Sequence, residues 1–118
     1  MAAASLAAMA APRATTCLAS VTQWPDANAR LAAASVLKTV FANGQLSAGR
    51  GWKVVSKLLQ DPEPALRIEA LHVLRFFNSE VALPAAAHAR QDPDPQVRTE
   101  AAAAAADVEG LRRLRLGR

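Results

Sequence analysis

The feature that most constrains this chain is that it repeats itself. DPEPALRIEALHVLRFF begins at Asp61, DPDPQVRTEAAAAAA begins at Asp92 and, more loosely, WPDANARLAAASVLKTVF begins at Trp24. Arginines fall in register at Arg30, Arg67 and Arg98, with spacings of 37 and 31 residues. The longer first interval accommodates the glycine-rich stretch NGQLSAGRG from Asn43 to Gly51. A period of about 20 to 50 residues marks a solenoid, in which each unit buries its apolar face only against its neighbours.

Each copy reads as the start of a helix. Asp61 and Asp92 are expected as N-caps, with Pro62 and Pro93 at the first helical position, where a missing N–H costs nothing. Pro64 and Pro95 then fall in the first turn, where proline is tolerated. Apolar residues at helical spacing predict the inward stripes. They are Ala29, Ala33, Val36, Leu37 and Val40 in the first copy, and Leu66, Ala70, Val73, Leu74 and Phe77 in the second. In the third they are Val97, Ala101, Ala104 and Ala105.

Shorter helices are expected between these. Trp52, Val55, Leu58 and Leu59 predict one from about Gly51 to Gln60, and Val81, Ala85 and Ala89 predict another after the Asn78–Ser79 junction, with Pro84 in or near its first turn. Asp107 is expected to cap a last short helix carrying Val108, Leu111 and Leu114. Near the N-terminus, Pro12 separates an alanine-rich helix, Ala2 to Ala11, from one reaching Thr22. The outline is one domain of helical hairpins with units at roughly 1–44, 45–78 and 79–106 and a half unit at 107–118.

Composition agrees with an all-α chain. Of 118 residues 29 are alanine, the best helix former, while aromatic residues make up 4% and tyrosine is absent. Such usage excludes a β-sandwich, a collagen and a disordered chain. A single cysteine excludes an internal disulfide framework. No uninterrupted apolar run reaches the roughly 20 residues of a membrane-spanning helix.

The pattern Asp-Pro-x-Pro-x-(Leu/Val)-Arg, followed by a helix with alanine or leucine at helical spacing, resembles the HEAT repeat. The 31-residue period is similar to that of the short HEAT-like repeats of phycobilin lyases and of many small bacterial scaffold proteins. The likeness is close from Asp61 to Ala106 and loose from Trp24 to Phe41. It implies a short right-handed α-solenoid of antiparallel helical hairpins, about three and a half units long. It also implies a ladder in which turn aspartates, Asp61 and Asp92, meet arginines on the second helices, Arg30, Arg67 and Arg98. Trp24 stands where the first unit would carry its aspartate.

Chemistry-bearing residues are sparse. His72 and His88 fall on different helices, without a carboxylate or cysteine at metal-ligand spacing, so neither zinc pattern occurs and no metal is expected. Cys17, in TTCLAS, reads as a small buried hydrophobe because nothing nearby lowers its pKa. Gly44 and Gly49 have the spacing of a phosphate-binding loop, but Arg50 and Gly51 replace its lysine and its Ser/Thr. The stretch reads instead as a helix C-cap at Gly44 followed by an inter-unit loop. No catalytic residue and no cofactor is expected.

Charge is segregated within a total of +4: residues 1–60 carry net +5, residues 61–110 net −5 and residues 111–118 net +4. The acidic middle interrupts the continuous basic stripe of a nucleic-acid binder. The terminal LRRLRLGR reads first as arginines placed against a helix C-terminus. Residues 1–25 hold no acid and one arginine, a composition like an organelle transit peptide. The competing reading, an alanine-rich helix covering the first unit, places the protein in the cytoplasm.

The function expected is a non-catalytic protein-interaction scaffold. Opposite the middle core stripe lie Ile68, His72 and Arg75, and register sets Leu31, Ser35 and Lys38 on one side of them and Thr99, Ala103 and Ala106 on the other. Ile68 is read either as an exposed anchor or as packing between units. A partner protein is expected on this strip, and a partner or a second copy is expected on the N-terminal end, which is read as uncapped because Ala2 to Ala11 carries no charged side chain. The family likeness alone suggests an alternative, an accessory subunit of a bilin lyase or similar modifying enzyme. Nucleic-acid binding through the basic ends, by Arg112, Arg113 and Arg115, is the weakest of the three.

Overall fold

The computed structural model describes residues 24–44 and 48–116, and every regular element among them is helical. In chain order these are α1 (Ala27–Ala34), α2 (Leu37–Ala42), α3 (Ala48–Leu58), α4 (Pro64–His72), a 3-10 turn (Leu74–Phe76), α5 (Ser79–Ala89) and α6 (Pro95–Leu116). The expected helices at Ala2–Ala11 and up to Thr22, and Cys17, lie outside the described residues. The long second helices of the units pack side by side, α1 on α4 and α4 on α6, while α3 packs against α4 and α5 against α6.

The helices after the Asp-Pro motifs open two residues later than expected. Pro64 and Pro95, not Pro62 and Pro93, open the helices, and the residues before them, Glu63 and Asp94, take the cap position. Asp94 Oδ1 accepts from the N–H groups of Gln96 and Val97 at 2.8 and 3.2 Å. Asp61 and Asp92 instead close the turn ahead of the helix, each accepting the N–H two residues on, from Glu63 and Asp94, at 2.9 Å. That leaves their carboxylates available to a neighbouring unit. In the first copy Asp26 is the N-cap, accepting from the Asn28 N–H at 3.0 Å.

Neither of the first two second helices runs unbroken. The Ser35 hydroxyl donates to the Ala32 carbonyl at 2.7 Å, and the Val36 N–H tightens onto the Ala33 carbonyl at 3.3 Å, so α1 stops and α2 begins. Side-chain bonding back to the helix is a recognised cause of such bends. At the matching place after α4, the Val73 N–H bonds three residues back to Ala70 and the chain passes into the 3-10 turn. By contrast α6 continues for 22 residues, so Asp107 lies inside it and caps no separate half-unit helix.

The core follows the stripes of the second helices, with Leu37, Val40, Leu66, Ala70, Leu74, Val97 and Ala101 fully buried. Phe41 stacks on Phe76 at 5.6 Å and meets Phe77 edge-on at 5.2 Å, while Trp52 meets Phe77 edge-on at 5.1 Å. All three phenylalanines of the chain thus join α2, α3 and the 3-10 turn, so the first two units share one aromatic cluster. Two expectations need correction. The buried face of α5 is Ala82, Ala86 and Ala89, one position round from Val81 and Ala85, which are half-buried. Of the apolar residues expected to line the last helix, Leu114 is 65% exposed, whereas Val108 is buried. Pro84 sits in the interior of α5 on its exposed side. Gly44 follows α2 with φ of +68°, the left-handed conformation that ends a helix at little cost only with glycine.

Candidate interaction surface and the arginine ladder

Three arginines hold the same bond within their own units. Arg30 NH1 donates to the Trp24 carbonyl at 2.6 Å, Arg67 NH1 to the Asp61 carbonyl at 2.6 Å and Arg98 NH1 to the Asp92 carbonyl at 2.7 Å. The acceptor is each time the main-chain oxygen six residues upstream. Trp24 therefore serves as well as an aspartate, because a carbonyl does not depend on its side chain.

The opposite edge of the guanidinium reaches the next unit. Arg30 Nε and NH2 donate to Asp61 Oδ2 and Oδ1 at 2.9 and 3.1 Å, a side-on bidentate pair with side chains 10% and 5% exposed. Arg67 NH2 donates to Asp92 Oδ1 at 3.0 Å, and its Nε lies 2.9 Å from Oδ2 without the alignment of a hydrogen bond. Each aspartate thus ties its own turn and the preceding helix together. Burial works against the charge of Asp92. The Asp94 N–H, the Arg67 hydrogen bond and the charges of Arg67 and Arg98 outweigh it and hold the carboxyl below its ordinary value. Arg98 is exposed, bonds only to the carbonyls of Asp92 and Pro93, and meets no carboxylate among the described residues.

The strip of Leu31, Ser35, Lys38, Ile68, His72 and Arg75 is less uniform than its register suggests. Leu31 and Ile68 are half-buried and pack on the core, while Ser35, Lys38, His72 and Arg75 are exposed. Ser35 stands at the break after α1, and Lys38 on α2. His72 Nε2 lies 2.8 Å from Glu100 Oε2, and Arg75 Nε lies 3.9 Å from Asp107 Oδ2 with its guanidinium over the Phe76 ring at 5.6 Å. Thr99, Ala103 and Ala106 are exposed.

Sequence reasoning missed a groove of about 580 Å3 between α3 and α5, walled by Trp52, Leu59, Val81, Pro84 and Ala85 and floored by Leu71 and Val97. It exists because these two first helices do not pack closely on each other, a separation that no periodicity encodes. His88 sits at its rim. The glycines of the phosphate-loop-like stretch fall elsewhere: Gly44 ends α2, whereas Gly49 and Gly51 lie within α3. Arg112 pairs with Glu109 at 3.1 Å, and Arg113 and Arg115 are exposed, while Arg118 lies outside the described residues. Among the described residues no three His, Cys, Asp or Glu side chains gather to hold a metal ion, and no helix is long and apolar enough to cross a membrane.

Comparison with known proteins agrees with the helical repeat. No curated protein and no solved structure matches the chain. A family model for HEAT repeats matches residues 39–107, more than half of the sequence and all of α3, α4 and α5. With its stacked second helices and the arginine bond shared by successive units, the chain belongs to the HEAT-repeat family.

Proposed function

We propose that this chain is a non-catalytic adaptor that binds another protein along the face formed by its second helices. HEAT repeats generally mediate protein–protein interaction, and the family is typically non-catalytic. The observation that carries the reading is the side-by-side packing of α1, α4 and α6. Along these helices and the segments that continue them, Lys38, His72 and Arg75 stand exposed and Leu31 and Ile68 half-buried. Apolar patches flanked by charge are the usual composition of an interface that forms and dissolves between soluble partners. Nothing on this face converges on a single reacting atom.

Alanine substitution of Ile68, His72 and Arg75, one at a time, in a partner-capture experiment tests the reading. Each variant should keep the helical circular dichroism of the wild type and lose captured partner. Undiminished capture by all three variants removes the function from this face.

A further inference from the structure

We propose that α6 presents an open rung of the arginine ladder, and that this rung takes an aspartate from the turn of a helical-repeat unit on a different, acidic protein. Arg98 is held like its two predecessors, with NH1 on the carbonyl six residues upstream. In those predecessors the remaining Nε–NH2 edge receives a carboxylate from the turn of the next unit, Asp61 on Arg30 and Asp92 on Arg67. The molecule therefore shows twice what occupies this edge. On Arg98 the edge meets no carboxylate among the described residues.

The neighbouring surface points the same way. Ile68, Leu71 and His72 of α4 and Arg75 of the 3-10 turn after it correspond, 31 residues on, to Thr99, Ala102, Ala103 and Ala106 of α6. On α4 Leu71 is buried and His72 pairs with Glu100 of α6, while Arg75 of the 3-10 turn pairs with Asp107 of α6. The equivalent four residues of α6 are all exposed and uncharged. Their small side chains let a helix backbone approach closely, so an incoming helix preceded by an aspartate turn can meet the face and the rung together.

The occupant is not a second copy. At the first ladder position this chain carries Trp24 in place of an aspartate, and α1 and α2 behind it carry Arg30 and Lys38 and no acid. A guanidinium edge and a basic end select an acidic partner. The surface adjoins the strip proposed above, but its test turns on Arg98, which that strip does not include. The two readings therefore stand or fall separately.

The experiment titrates the 118-residue chain with a synthetic peptide copying its residues 90–110, which carry the Asp92 turn and most of the following helix. The peptide should bind the wild type. Binding should weaken about tenfold or more with Asp92→Asn in the peptide, and equally with Arg98→Ala or Arg98→Lys in the protein, since lysine keeps the charge but not the fork. Arg98→Glu should lose the wild-type peptide and regain binding to the Asp92→Lys peptide, a rescue that a folding defect does not produce. Absence of binding, or binding indifferent to Arg98 and to the peptide aspartate, overturns the proposal. So does self-association of the wild type in sedimentation that both Arg98→Ala and Trp24→Ala abolish, because the occupant is then a second copy.

Discussion

The three ladder arginines share one sequence motif and sit in three different environments, so their removal should cost three different amounts. Replacing Arg30 with methionine keeps the aliphatic stem and deletes three hydrogen bonds, two to Asp61 and one to the Trp24 carbonyl. The Asp61 side chain is 5% exposed, so its charge is left buried with only the Glu63 N–H as a donor. Breaking a buried pair from one side costs about 3–5 kcal/mol, a large part of the roughly 5–15 kcal/mol that holds a domain folded. Arg67→Met acts on a pair that is more exposed, with one hydrogen bond to Asp92 and one to the Asp61 carbonyl, and should cost about 1–3 kcal/mol. Arg98→Met removes only exposed bonds and should cost about 1 kcal/mol or less. Urea denaturation followed by circular dichroism measures all three, with the slope unchanged and the midpoint falling in the order Arg98, Arg67, Arg30. The double variant Arg30→Met with Asp61→Asn should recover part of the Arg30 loss, because no buried charge is then left unpaired. Equal losses at the three arginines, or a double variant no better than Arg30→Met alone, would refute the reasoning.

Two further outcomes follow from single residues. The Asp92 carboxyl is held below its ordinary value of 3.8, so the stability it contributes is complete above that value and is lost as pH falls through the lower folded value. Asp92→Asn should therefore flatten the decline in stability of the wild type below about pH 4, read from melting temperatures between pH 2 and 6. Two glycines should respond to alanine with opposite signs: Gly110 lies inside α6 with open space around a new Cβ, so Gly110→Ala should stabilise by about 0.5–1 kcal/mol. Gly44, at φ of +68°, should lose about 1 kcal/mol or more on the same change; denaturation midpoints that move in one direction for both would contradict this.

The sequence by itself determined the helical class, the repeat and the register of the arginines, because these rest on local physics. Alanine content, apolar residues at helical spacing and proline in a first helical turn all act within one or two turns of chain. It did not determine which proline opens each helix, since the carboxylates of Asp61 and Asp92 have two uses and only the packing of a neighbouring unit selects between them. Nor did it show that Asp107 lies within one long helix. A carboxylate that reads as a cap is tolerated mid-helix when its side chain is exposed and faces an arginine of α4's following turn, Arg75. The burial of Arg30 is the clearest case. Arg30 and Arg98 hold the same position in the motif, and the difference in burial comes from Asp61, 31 residues from Arg30, brought against it when α1 packs on α4. The shape of the surface, including the groove between α3 and α5 and the edge of Arg98 that meets no carboxylate among the described residues, was likewise decided only by tertiary structure, because it depends on which helices meet and which do not.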